Sequence, residues 1–122
     1  MKLERLPYLT EEAAHGLRES TAGWPEVASQ IACGACELYR INAGQAFVVL
    51  REERDIGELV VCAFEGSGLR EFADLLVKWA SAKGFRAIRF HTTRPGLERM
   101  LRHHGVELAE YVYKGKLNSE TV

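Results

Sequence analysis

Long apolar runs are missing from this sequence. The longer ones, such as Phe47 to Leu50 and Leu59 to Phe64, fall far short of the ~20 residues that a membrane-spanning helix needs, so no membrane partner is expected. Export signals are missing too: Met1-Lys2-Leu3-Glu4-Arg5 is followed by no apolar stretch of the secretory kind. Cysteine is scarce and odd in number, with Cys33, Cys36 and Cys62 alone. That argues against a disulfide framework, and a cytoplasmic location is expected. Internal repeats, low-complexity tracts and Gly-, Ser- or Pro-rich linkers are absent. Residues 1–122 therefore read as one domain, with an N-terminal helical part over 1–34, a sheet core over 36–117 and a tail over 118–122.

What is present suits one buried core: 122 residues, 47% hydrophobic and 27% charged. The net charge of −1 is unevenly spread. Residues 1–69 carry 6 Lys and Arg against 11 Asp and Glu, whereas residues 70–116 carry 10 against 5. The basic half is either a region that attracts a polyanion, such as a nucleotide, or the solvated faces of two helices. Its arginines, Arg86, Arg89, Arg94, Arg99 and Arg102, lack interleaved exposed aromatics, so nucleic acid is not an expected partner.

Patterning predicts two short helices first. One runs over 11–19 behind Thr10 as N-cap, with Glu11 and Glu12 favourable at its start. The other starts near Trp24-Pro25 and runs to about Cys33, with Gly34 ending it. Three strands follow, over Cys36–Ile41, Gln45–Arg51 and Glu58–Phe64, joined by the short turns Asn42-Ala43-Gly44 and Arg54-Asp55-Ile56-Gly57. That spacing predicts an antiparallel meander. Leu69, Phe72, Ala73, Leu76 and Ala80 then recur at helical spacing, and Gly84 stops that helix. Phe85–His91 reads as a strand, Thr92 to Gly105 as a last helix, and Val106–Tyr113 as a final strand with a bulge near Ala109-Glu110. The predicted order is ααβββαβαβ. The unit from Glu58 to His91 makes its two strands parallel. The fold class is thus α/β, or α+β: a mixed, mainly antiparallel central sheet with helices on both faces.

Three segments give this order a likeness. Glu58-Leu59-Val60-Val61-Cys62-Ala63-Phe64 is a central strand, Glu65-Gly66-Ser67-Gly68-Leu69-Arg70 opens the long helix, and Phe85 to Gly105 makes a later strand–helix pair. Over residues 36–117 the chain resembles the GNAT superfamily of acetyl-CoA-dependent N-acyltransferases. The resemblance implies a donor, acetyl-CoA or another acyl-CoA, and an amine acceptor. Its pyrophosphate would meet Gly66, Ser67, Gly68, Leu69 and Arg70, where glycines let amides approach and a helix N-terminus adds positive charge. Its pantetheine arm would pair with the backbone near Val60, Val61 and Cys62. Glu58 resembles a common family position for the general base, and it also reads as an exposed strand residue beside a turn.

The departures are specific. The family loop usually reads Arg or Gln, then x-x-Gly-x-Gly or Ala, after a Val-x-Pro stretch; here that Pro and that Arg or Gln are missing and the segment looks shorter. Gly66 and Gly68 equally suit a plain strand-to-helix turn. The family's Tyr acid, four residues before the terminal Gly of the last helix, is Leu101 here, and its frequent Asn falls near Arg94. Tyr111 and Tyr113 are the alternative acids.

Cys33-Gly34-Ala35-Cys36 has redox or zinc-half-site spacing, but it lacks a second clustered pair, and His103-His104 diverge by roughly 100° on a helix. Small buried residues at a turn is the preferred reading, with no metal. His91, at the end of a central strand, and Arg94 are substrate-side candidates. Trp24 and Trp79 read as core or interface anchors, and a homodimer is compatible with them. Two functions follow: an acyl-CoA-dependent N-acyltransferase, or a non-catalytic protein-binding module on the same fold. The chain is also loosely similar to short GNAT-like proteins of tailed phages and prophages, which would give the second function a host or virion partner.

Overall fold

A computed structural model of the protein describes residues 1–91, 106–109 and 112–116, with side chains as far as His91. Seven strands among these residues form one sheet in the order β1-β2-β3-β4-β5-β7-β6. They are β1 (Leu3–Leu6), β2 (Glu37–Ile41), β3 (Ala46–Glu53), β4 (Glu58–Gly66), β5 (Ala87–His91), β6 (Val106–Ala109) and β7 (Val112–Lys116). Every neighbouring pair is antiparallel except β4 and β5. The fold class and the parallel pair are as the sequence predicts. Helices α1 (Glu11–Gly16) and α2 (Val27–Ala32) precede β2, and α3 (Leu69–Ala82) carries the chain from β4 to β5.

Strand alternation sorts the apolar residues into two cores. Ile41, Ala46, Val48, Leu50, Leu59, Ile88 and Phe90 meet the α3 stripe of Leu69, Phe72, Ala73, Leu76 and Ala80 on one face. Ala13, Leu17, Val27 and Ile31 from the N-terminal segment cover Cys36, Leu38, Phe47 and Val49 on the other. Because both faces of β3 are buried, it reads as a continuous apolar run rather than an alternating one. Phe72 anchors the α3 side, its ring 5.4 Å from that of Phe64; burying such a side chain contributes about 2–3 kcal/mol. At the start of α1 the Thr10 side chain accepts the Ala13 N–H over 3.1 Å, the expected cap.

Four expectations need correction. Leu3–Leu6 is a strand at the sheet edge, so the segment 1–34 is not wholly helical. Three of its four residues are exposed, and an edge strand that buries neither face leaves no alternation to read. The final strand is two strands: Ala109 lies opposite Val112, so the phase slip marks a chain reversal and not a bulge. Strand β4 runs on through Glu65 and Gly66, two residues assigned to a loop. The first helix starts at Glu11 as predicted but ends at Gly16 rather than at 19, and the second spans Val27–Ala32 rather than reaching from near Trp24 to about Cys33. The last predicted helix, over Thr92 to Gly105, lies outside the described residues.

Candidate functional site

The central strand carries a bulge. Val49 of β3 lies opposite Ala63 and Leu50 lies opposite Val61, so Cys62 is the extra residue. Without it, Val61 and Ala63 would share a face. Instead Val61 packs into the α3 core and Ala63 into the opposite one. On its other side β4 pairs with β5 from Glu58↔Ala87 to Val61↔Phe90. Beyond that point, among the described residues, Cys62 to Gly66 keep a strand partner on the β3 side alone.

The direction of the backbone groups on that open edge follows from one hydrogen bond. The Ser67 N–H donates to the Gln45 carbonyl over 3.2 Å. Antiparallel pairs alternate between bonded and non-bonded, so Glu65 and Ala63 turn toward β3 while the Phe64 and Gly66 peptide groups face away. Ser20, between α1 and α2, confirms this for Phe64: its Oγ is 3.2 Å from the Phe64 carbonyl. The Ser20 N–H and Oγ also reach the Glu65 carboxylate, each at 2.9 Å.

The turn into α3 is pinned to the start of β3. The Gln45 side chain donates to the Ser67 carbonyl over 3.3 Å, returning the bond its own carbonyl accepts. Gly66 has φ +125°, and a Cβ there would stand 2.5 Å from the Gln45 carbonyl. A Cβ on Gly68 would stand 2.5 Å from the Gln45 side-chain nitrogen. Close packing against the Gln45 backbone therefore requires glycine at 66, whereas at 68 the neighbour is the end of a flexible side chain and the left-handed φ of +87° is what favours glycine. The first helical bond, from the Phe72 N–H to the Gly68 carbonyl at 3.0 Å, leaves the Leu69, Arg70 and Glu71 amides without a partner inside the helix. The Leu69 side chain is buried in the core and Arg70 is exposed.

A charged row crosses the α1/α2 face of the sheet. Glu58 is 3% exposed and is ion-paired with Arg89 of β5. Arg89 also lies 3.7 Å from Glu53, which pairs with Arg51 at 2.8 Å. His91 ends β5 on the same face. Partial burial, then the positive charges of Arg89 and Arg51, hold its pKa below the ordinary 6.5, against an opposing pull from Glu53. His91 is thus a neutral imidazole at pH 7. Burial pushes the Cys62 thiol up to about 12, so it is no ready nucleophile at neutral pH. Burial likewise raises Cys36.

The structure separates the predicted residues into groups. Val60 and Val61 lie in the stretch already paired with Arg89 and Phe90, while Cys62 is the first residue past it. Gly66, Ser67 and Gly68 gather against Gln45. Glu58 and His91 share a face but stand four register positions apart, roughly 13 Å along the strands. Arg94 and Leu101 lie outside the described residues. No group of His, Cys, Asp and Glu side chains among the described residues is arranged to hold a metal ion. No described helix is long and apolar enough to cross a membrane. Sequence reading missed Ser20 and Gln45, whose roles depend on contacts 45 and 22 positions away. Arg89 had a legible signal: it sits between Ile88 and Phe90, so alternation places it on the opposite face from both.

No protein-family model matches the chain, and no curated protein matches it in sequence. Solved structures match it in shape. An acetyltransferase of the GNAT family from Staphylococcus aureus aligns with TM-score 0.63 at 11% identity, over 95% of this chain and 99% of that one. Tetrahymena GCN5 aligns with TM-score 0.64 at 6% identity, over 96% of each chain. The N-acetylglutamate synthase of Neisseria gonorrhoeae, solved with coenzyme A and N-acetyl-glutamate, aligns with TM-score 0.58 at 8% identity, over 96% of this chain and 35% of that one. The chain has the GNAT acetyltransferase fold. Within that fold the described residues show a bulged central strand, an edge beyond the bulge with no strand partner among the described residues, and a turn pinned by Gln45.

Proposed function

We propose that this protein is an acyltransferase that moves an acyl group from a pantetheine thioester, such as acetyl-CoA, to an amine. The open edge of β4 beyond Cys62 carries this reading. Peptide groups at Phe64 and Gly66 face away from β3, and an extended chain with alternating amide donors and acceptors adds to such an edge as a strand does. The two amides of a pantetheine arm suit that geometry. The similar fold of acetyltransferases, one of them solved with coenzyme A, supports the same class. Three unpaired cysteines support a reducing compartment such as the cytoplasm as its setting.

In the reaction the amine nitrogen attacks the thioester carbonyl, a C–N bond forms and the C–S bond breaks. The proton shed by the amine ends on the departing sulfur. His91 is the better proton acceptor: it is neutral at pH 7 and stands at the end of β5 where the β4–β5 pairing stops. Glu58, the residue its strand position first indicated, has its Oε1 engaged by Arg89 and serves to hold that guanidinium beside the site. The test is acetyl transfer from acetyl-CoA to a broad amine panel, with release of free thiol followed. Transfer that fails across the panel while the thioester still binds would reject the enzyme and leave a binding module.

That second reading, a non-catalytic protein-binding module, is favoured by the turn into α3, where Gln45 occupies space a ligand-binding loop would leave open. Capture of a protein partner by a chain that binds no thioester would establish it.

A further inference from the structure

Among the described residues, the carboxylates that are at least partly buried belong to Glu37, Glu52, Glu53, Glu58 and Glu65. Arginines neutralise all but the last: Arg5 pairs with Glu37, Arg54 with Glu52, Arg51 with Glu53 and Arg89 with Glu58. Glu65 has no cation within ion-pair distance among the described residues. Its Oε1 takes two neutral donors, the Ser20 N–H and Oγ, each at 2.9 Å. They fix the side chain and leave Oε2 without a hydrogen bond from the described residues. The cation in the same cross-strand row is already taken. Phe47 lies opposite Glu65 and Arg40 opposite Phe47, but Arg40 is held by Glu4 at 2.8 Å and by Glu12 at 3.0 Å. A half-buried charge kept without a counter-charge is unfavourable unless a ligand supplies one.

Glu65 shares a face with His91. Phe47, opposite Glu65, belongs to the core on the α1/α2 side, the side on which His91 ends β5. On the proposed reaction the amine comes in on this face, where His91 takes its proton. β4 and β5 pair as far as Val61↔Phe90, and Cys62 and His91 each stand one residue past that pair. Glu65 lies three residues beyond Cys62, roughly 10 Å along the strand. Cys62 and Ala63, which pack on this face between the two levels, are apolar. Resting on the proposed transfer reaction, we infer that the acceptor is an amine with a second cationic group at the far end of an aliphatic spacer, and that Glu65 binds that group and sets the specificity. The near nitrogen, neutral, attacks the thioester. The far one keeps its proton and donates to Glu65 Oε2 as a charge-assisted hydrogen bond. The acidic balance of residues 1–69, with 6 Lys and Arg against 11 Asp and Glu, attracts an acceptor of the same charge.

Putrescine, butylamine and γ-aminobutyrate test this on the full chain, because the group opposite the reacting amine is a cation in the first, a methyl group in the second and a carboxylate in the third. Acetyl transfer from acetyl-CoA to each is followed as thiol release. The expected kcat/KM for putrescine is about tenfold above that for butylamine, with γ-aminobutyrate lowest. The difference should lie in KM and shrink as salt is raised. Glu65→Gln keeps an oxygen for Ser20 and removes the charge. It should bring the ratio of putrescine to butylamine to within about twofold of one, and weaken putrescine binding in calorimetry by a similar factor as the ratio falls. Thermal unfolding of the same variant shows that the change is not a loss of fold. Similar rates for the three acceptors, or a putrescine preference that survives Glu65→Gln, would overturn the inference and leave the transferase reading standing. Transfer to none of the three would overturn the inference too, and the broad amine panel then decides whether the transferase reading falls with it.

Discussion

Ser20 and Phe64 meet across 44 positions of sequence: the serine Oγ lies 3.2 Å from the phenylalanine carbonyl and 2.9 Å from the Glu65 carboxylate, with one proton to serve both acceptors. This contact ties the N-terminal segment to the open edge of β4. It also holds a carbonyl that an incoming amide N–H would use.

Ser20→Ala frees that carbonyl. The affinity for acetyl-pantetheine should rise about two- to fivefold, while an exposed hydrogen bond lost costs about 1 kcal/mol of stability or less. Calorimetry and thermal unfolding measured on the same preparation separate the two effects. Unchanged affinity would show that Ser20 does not compete for the edge.

Arg89→Met removes the guanidinium beside a carboxylate that is 3% exposed. Breaking a buried ion pair from one side costs about 3 kcal/mol, and removing both charges recovers much of it. Denaturant unfolding should therefore show Arg89→Met well below the wild type and the double variant Arg89→Met, Glu58→Gln between the two. A double variant no better than the single one would mean that Glu58 does not depend on Arg89.

Most of the sheet was legible in the sequence because its strands bury at least one face. β3 and β4 read as apolar runs, and α3 read as a stripe at i, i+3, i+4. β1 was illegible because Leu3, Glu4 and Arg5 bury almost nothing. The site was legible only in part. Glycines at 66 and 68 marked the turn, but the pattern did not say which neighbour packs against them. That neighbour is Gln45, a residue type with no preference for such a place. The bulge at Cys62 was illegible as well, since Val61, Cys62 and Ala63 are apolar whichever face each one takes.

Gly66→Ala tests the pinned turn. The new methyl group would meet the Gln45 carbonyl at 2.5 Å in a backbone with φ +125°, a conformation that L residues avoid, at a combined cost of about 3 kcal/mol. Gly23→Ala, with nothing within 4 Å, should change stability by less than about 0.5 kcal/mol. Equal unfolding midpoints for the two variants would remove the packing reason for Gly66.

The cysteines should differ in reactivity. Cys33 is exposed, Cys36 is buried, and burial holds Cys62 at about 12. A thiol reagent at pH 8 should label Cys33 quickly and the other two only after unfolding. Mass spectrometry of the native protein should find one label, and of the denatured protein three. Rapid native labelling of Cys62 would restore it as a candidate nucleophile.

His91 gives the fold a pH dependence with a definite sign. Its pKa is lower in the folded chain than the ordinary 6.5 of the unfolded one, first through partial burial and then through Arg89 and Arg51. Above about pH 7 both states hold a neutral ring, and the residue contributes no pH dependence. As pH falls through 6.5, the unfolded chain takes up a proton that the folded chain resists, so stability drops until the folded pKa is passed. His91→Gln should flatten this part of the profile and leave the rest in place. The same ring, acting as proton acceptor, predicts a transfer rate that climbs with pH below 6.5 and is level by about pH 7. Loss of the stability slope with the rate profile intact would keep His91 as a charge-sensitive part of the fold and send the search for the base back to Glu58.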